Sequence, residues 1–257
     1  MTNPTESPAT SPATSPSGPQ RYVCLRAAIA PKLDGRGDDA AWGAAAWTAD
    51  FVNIEGDAKP QPRHRTRAKM MWDDNYFYVL AEMAEPHVWG SLVERNSLIY
   101  HDNDFEIFID PDGDRKNYYE FEINALGTTM ELTLPKPYVD GGNYTFVGLE
   151  GIRSAVHVRG TVNDASDVDE GWSVEVAIPF AGLEKLTAGG GRKPNAGETW
   201  RVNFSRVQWM HKVAGAAGGK YVKVPKETRD EDNWVWSPQG VVDMHRPEKW
   251  GAVEFGG

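Results

Sequence analysis

A chain of 257 residues, 40% hydrophobic and 25% charged, can bury a sizeable core in one large all-β domain or in two smaller ones. Its formal net charge of −10 argues against phosphate backbones and anionic membrane surfaces as partners, because both require basic patches. Its single cysteine, Cys24, excludes an intramolecular disulfide and a cysteine-based zinc cluster and reads as a small core residue, and no apolar run approaches the ~20 residues of a membrane span.

The first 20 residues, MTNPTESPATSPATSPSGPQ, repeat SPAT and are rich in Pro, Ser, Thr and Ala, so an extended or disordered arm is expected over 1–20. Without a basic start or an apolar segment it is not a secretory signal as it stands, which leaves a cytoplasmic protein or one whose leader is missing from this sequence. From Arg21 the text changes to short alternating runs of Val, Ile, Tyr, Phe and Trp, punctuated by Gly, Pro, Asn and Asp. Strands are expected over 22–27, 66–72, 76–83, 104–110, 118–124, 128–134, 154–162, 172–178, 200–207 and 252–255. Helical pattern is scarce. Segment 38–47 offers a turn or two capped by Asp38, and 179–186 begins with a proline suited to a first helical position. The Gly/Ala/Lys stretch 213–220 reads as a mobile loop. Many short strands with little helix predict an all-β fold: one antiparallel β-sandwich, immunoglobulin-like or jelly-roll-like, over 21–257 with few short helices.

The run NDFEIFIDPDGDRKNYYEFEIN, 103–124, reads as a hairpin with an unusual face. Alternation sends Phe105, Ile107 and Ile109 to one side and Asp104, Glu106, Phe108 and Asp110 to the other. The second strand divides likewise, with Phe121 and Ile123 apolar and Tyr118, Glu120, Glu122 and Asn124 opposite. Register then sets Glu106 across from Glu120 or Glu122, and like charges at that range destabilise a sheet. Water, a ligand or a metal must compensate. Phe108 and Tyr118 on the same face, with Arg206 and Trp209 in later text, favour a ligand face over a wet one. Asp110, Asp112 and Asp114 resemble half of a calcium loop, although the glycine is misplaced and the twelfth position is Phe121, so an ordinary Pro-Asp-Gly turn explains them as well; Asp102 and Asp104 are equally open.

No pair of the six histidines has metalloprotease spacing, and no hydrolase-elbow, phosphate-loop or dinucleotide signature occurs. Trp234 and Trp236 in EDNWVWSPQG are two apart and share a strand face. They read either as core plugs or as a stacking platform for the apolar face of a sugar ring.

An ordered set of blocks carries a resemblance: LDGRGDDAAW (33–42), MMWDDNYFYVLAEM (70–83), YHDNDFEIFID (100–110), GWSVEVAIPF (171–180), WRVNFSRVQW (200–209) and PEKWG (247–251). Together they are similar to family 9 carbohydrate-binding modules and their DOMON-like relatives. The resemblance implies a two-sheet β-sandwich, structural calcium as a possible cofactor, and sugar binding without catalysis. It also implies site positions. The family's site glutamate matches Glu106, its first sandwiching Trp matches Tyr100, and its Asn matches Asn124. The family's Arg falls on Glu122, which inverts the charge, and its Gln falls on Ser205, beside Arg206. Its second Trp falls near Met244, where Trp236 or Trp234 would have to substitute. The expected ligand-binding set is therefore Tyr100, Glu106, Glu122, Asn124, Ser205, Arg206, Trp209 and Trp236, with Arg206 restoring a cation beside Glu106 and Glu122. A carbohydrate is the expected partner, not nucleic acid or membrane. Competing readings are a glycoside hydrolase using the paired glutamates, a haem-binding module using Met244-His245 or Met210-His211, and a purely structural appendage.

Overall fold

The computed structural model describes residues 18–214, 220–225 and 231–257. Residues 1–17 of the expected arm, and most of the expected loop at 213–220, lie outside them. Strands form where the alternation runs: β1 (Arg21–Arg26), β2 (Val52–Asn53), β3 (Thr66–Trp72), β4 (Tyr76–Ala84), β5 (Asp104–Asp110), β6 (Tyr118–Asn124), β7 (Thr129–Leu134) and β8 (Thr145–Phe146). The second half adds β9 (Arg153–Arg159), β10 (Gly171–Pro179), β11 (Thr199–Gln208), β12 (His211–Ala214), β13 (Lys220–Lys223), β14 (Asp232–Val235) and β15 (Gly251–Phe255). One α-helix, α1 (Phe180–Leu186), follows Pro179. No helix among the described residues is long and apolar enough to cross a membrane.

The architecture is an all-β sandwich. One sheet runs β8-β7-β6-β5-β11-β15-β1, and the other runs β1-β3-β4-β10-β9. β1 belongs to both. Arg21–Cys24 lie along β15 and Leu25–Arg26 along β3, each pair parallel, so the expected antiparallel sandwich is broken at its seam. Short β14 adds to the far end of β11 and carries β2 at its edge. The strands that alternation did not predict, β2, β8 and β12 to β14, are two to four residues long, too short for a period to register. Positions 213–214 and 220, expected in a loop, stand in the β12–β13 hairpin.

Between the sheets lies the main core, where Phe105, Ile107, Phe121 and Ile123 meet Met70, Val79, Val174 and Val176. Trp236 belongs to it. Its indole packs on Gly251, where an added Cβ would lie 2.4 Å from the ring, and meets Tyr22 edge-on. The platform reading of Trp234 and Trp236 is thereby corrected: their shared face is the inner one, and both are buried plugs.

Each sheet also buries part of its outer face. Segment 33–47 closes over β4 and β10, with Trp42 against Leu80, Tyr78 and Ala177. Its helical part is a 3₁₀ turn, Ala40–Ala44, capped by Asp39 and not Asp38. Glu175, in the middle of β10, accepts hydrogen bonds from the Trp42 indole at 2.7 Å and from the Asp34 and Gly35 amides at 2.9 and 2.7 Å. On the opposite sheet a second cluster, including Phe108, Tyr118, Leu132, Met244 and Trp250, lies under loops that follow β4, β7 and β14.

Candidate functional site

The acid hairpin forms with Glu106 directly across from Glu122, Asp104 across from Asn124 and Phe108 across from Glu120. The acids do not lie in water. Relative exposures of 5% for Glu106, 4% for Glu120 and 2% for Glu122 make them the floor of a recess. That recess is a cleft of about 400 Å³, within the range of small-ligand sites. Its floor is made by Glu106 and Phe108 of β5, Glu120 and Glu122 of β6, Met130 and Leu132 of β7, Val207 of β11, and Asn233 of β14. Its walls are Tyr100, Tyr138, Tyr144 and the segment Val242, Asp243, Met244 and His245.

Local sequence explains the walls. In KPYVDGGNY the chain folds back so sharply that a Cβ at Gly142 would come within 1.8 Å of the Lys136 carbonyl, and Gly141 has φ 78°. This turn holds Tyr138 and Tyr144 half in solvent, 41% and 44% exposed. Tyr138 meets the His245 ring edge-on at 4.3 Å between centroids. Tyr118 Oη lies 3.2 Å from His245 Nδ1. Burial drives the His245 pKa down to about 4, so the ring is neutral at pH 7.

Burial also dominates the acids. It raises Glu106 to about 7 and, with the charge of Glu106 added, Glu120 to about 8. Glu122 and Asp104 rise well above their ordinary values for the same reason, each pushed further by neighbouring carboxylates. Glu120 and Glu122 hydrogen-bond to one another, which two carboxyls manage only with a proton between them. Glu120 Oε2 and Asp104 Oδ2 are buried without a hydrogen-bond partner.

The expected site residues separate. Tyr100, Glu106 and Glu122 converge on the cleft, and the Tyr100 amide donates to Glu122 Oε2 at 3.2 Å. Trp209 stands behind Tyr100, its indole donating to the Tyr100 carbonyl at 2.8 Å, and does not line the cleft. Ser205 is opposite Glu106 on the adjoining strand and fully buried. Asn124 is a structural residue: its amide donates to the Leu92 carbonyl and Asp102, and its carbonyl oxygen accepts from the Leu126 and Thr128 amides.

Arg206 is the clearest correction. One residue beyond Ser205, it points to the inner face, as strand parity requires. There it donates to Glu85 Oε2 at 2.8 Å, Thr66 Oγ1 at 3.0 Å and Gln208 Oε1 at 2.9 Å, with its guanidinium over Trp234. It supplies no cation to Glu106 and Glu122. Trp236 likewise stays in the core. Glu120, Tyr138, Tyr144, Asn233 and His245 also line the cleft and are absent from the expected set. The two tyrosines had a signal, since aromatic residues flanking a Gly-Gly turn are seldom core.

Calcium was expected from the resemblance. Asp110, Asp112 and Asp114 bring oxygens within 4.8 Å of one another, a spacing that suits a hard cation although calcium takes about six to eight oxygens. Asp110 also accepts the Gly113 and Arg115 amides at 3.1 and 3.0 Å, so turn formation by itself accounts for this aspartate. Asp102 is filled by the Ser91 and Leu92 amides, the Ser91 hydroxyl and Asn124.

Residues 33–191 match the family described as carbohydrate family 9 binding domain-like. Among curated proteins, the chain is similar to the exoglucanase XynX of Acetivibrio thermocellus, 28% identical over 121 residues, 46% of this chain and 9% of that protein. It is also similar to endo-1,4-beta-xylanase C of Paenibacillus barcinonensis, 33% identical over 91 residues, 35% of this chain and 8% of that protein. The chain spans less than a tenth of the length of these curated relatives. Among solved structures, it shares its fold with a family 9 carbohydrate binding module from Caldicellulosiruptor kristjanssonii in complex with cellotriose, at a TM-score of 0.57, 18% identity, 93% of this chain and 94% of that chain. A family 9 carbohydrate binding module from the same organism in complex with glucose gives a TM-score of 0.56 at 17% identity, covering 93% of this chain and 96% of that chain. With the family's pattern matched across most of the sandwich, the chain belongs to the carbohydrate family 9 binding domain-like family.

Proposed function

We propose that this chain is a non-catalytic carbohydrate-binding module whose sugar sits in the cleft over Glu106, Glu120 and Glu122, between Tyr100 and the tyrosines of the 136–144 loop. The observation that carries the reading is the pairing of half-exposed tyrosines with buried carboxyl groups in one recess. Sugar rings need both: an apolar face for stacking and convergent groups for hydroxyls. Carboxyls that retain a proton donate to a hydroxyl, and ionised ones accept, so the floor can serve either end of an O–H. The cellotriose and glucose held by the structural neighbours support a gluco-type ring as the ligand.

A hydrolase would need one ionised nucleophile beside one protonated acid, set apart by their environments. Here burial raises Glu106 and Glu122 together, which suits a binding floor better than a catalytic pair. Isothermal titration of the chain against mono- and oligosaccharides tests the reading. Binding that weakens in Tyr138→Ala and Glu106→Gln supports it. Silence across cello-, xylo- and amino-oligosaccharides would sink it.

A further inference from the structure

Hydroxyls can satisfy the hydrogen-bonding capacity of buried carboxylates, but they bring no charge. The cleft has the opposite need. Glu106, Glu120 and Glu122 line its floor, Glu231 and Asp243, the latter paired with Arg246 at 3.3 Å, stand at its edge, and no Lys or Arg among the described residues lines it. Among the described residues the one base that lines it, His245, is neutral, and its Nε2 stands 4.0 Å from Glu120 Oε2. That oxygen and Asp104 Oδ2 are buried and have no donor. An unpartnered buried acceptor normally costs about 1–3 kcal/mol, more when charged, so a fold that retains one on a cleft-lining residue, Glu120, is shaped for something that arrives later.

We propose that the cleft selects a cationic sugar, its ring seated over Glu106, Glu120 and Glu122 and bearing a protonated amine, as in glucosamine-type saccharides. This rests on the carbohydrate reading and names the ligand class for that same site. An ammonium carries three donors and one positive charge in the volume of a hydroxyl, and its hydrogen bonds to carboxylates are charge-assisted. The faces of Tyr138 and Tyr144 add attraction for a cation as well as a stacking surface. A single charge suits the floor, because Glu120 and Glu122 share a proton and burial raises all three glutamates, so an ammonium meets Glu106, at about 7 against about 8 for Glu120, as the more readily ionised carboxyl. A divalent cation suits it less. Calcium takes about six to eight oxygens. The three acids that come within 4.8 Å, Asp104, Glu106 and Glu122, include one already bonded to the Val207 amide and one bonded to the Tyr100 amide.

Titration calorimetry on the full chain, just below neutral pH, compares a glucosamine trimer, its fully N-acetylated form and cellotriose. The amine trimer is expected to bind about tenfold or more tighter than either neutral trimer. Added salt should erode that advantage, and Glu122→Gln or, if that variant folds poorly, Glu120→Gln should lower amine-trimer affinity by a larger factor than neutral-trimer affinity, so that the preference disappears. Equal or weaker binding of the amine trimer overturns the inference and leaves the carbohydrate reading intact. Neutral-sugar binding that appears only on adding calcium also overturns it, since a metal would then meet the charge. If none of the three saccharides binds, both readings fail together.

Discussion

Two glutamates in the middle of strands, Glu175 on one sheet and Glu120 on the other, lie beneath loops on opposite outer faces of the sandwich. Both are buried. Over Glu175, segment 33–47 delivers an indole and two backbone amides, and the face is closed. Over Glu120, the covering loops deliver tyrosines and a neutral histidine that stops short of hydrogen-bond distance. The same residue type thus serves structure in one place and remains available in the other. The difference is whether the covering loop brings its own donors. A satisfied buried carboxylate anchors a loop, whereas an unsatisfied one waits for a partner.

The largest expected effect comes from breaking the closed side. Glu175→Ala orphans the Trp42 indole and two amides and opens a cavity, so a loss of about 3–5 kcal/mol is expected in chemical denaturation. Sugar affinity, read on the folded fraction, should stay unchanged.

The next test is pH. Glu106 and Glu120 have folded-state values raised above their unfolded ones, to about 7 and about 8. Their neutral forms favour the fold at low pH, and that stability is lost as pH rises through the folded values. His245 and His211, lowered to about 4, act in reverse: their contribution is complete above the unfolded value of 6.5 and fades as pH falls toward 4. From pH 4.5 to 6.5 the two glutamates and the two histidines offset one another, and above 6.5 only the raised acids, Asp110 at about 7 among them, still titrate, so melting temperature should fall from about pH 6.5 toward pH 8, with a slope on the order of 1.4 kcal/mol per proton per pH unit. A melting temperature that rises from neutral to pH 8 would mean that the acids are compensated by a group not identified here.

Tyr138→Ala probes the open side's wall. It should weaken sugar binding about tenfold while leaving the melting temperature almost unmoved, because the ring is half exposed. The smallest effect is expected from Glu120→Gln. Removing a buried charge that no cation among the described residues compensates should stabilise the fold by about 1 kcal/mol near pH 8 and by nothing near pH 5. Destabilisation at pH 8 would contradict the unpartnered state of Glu120 Oε2.

Much of the sandwich was legible because long strands announce themselves by period. Thr66–Trp72, Asp104–Asp110 and Tyr118–Asn124 begin and end where alternation and turn residues put them. The site was legible only in part. Glu106 and Glu122 follow from parity in one hairpin, where both strands are adjacent in sequence. Arg206 could have been placed by the same parity, since it adjoins Ser205 and must face the other way. Proximity in the text points it to the acids, and parity overrules that. Tyr138 and His245 reach the cleft from loops about a hundred residues apart, and no local pattern links them.

The sequence alone settled which side chains share a face of the acid hairpin, because a two-residue period and a short turn leave few registers that keep both apolar sides together. Tertiary structure decided what lies above that face. Loop conformation depends on distant contacts such as Tyr138 against His245 and Trp209 against Tyr100, and those contacts turn a row of acids into the floor of a cleft.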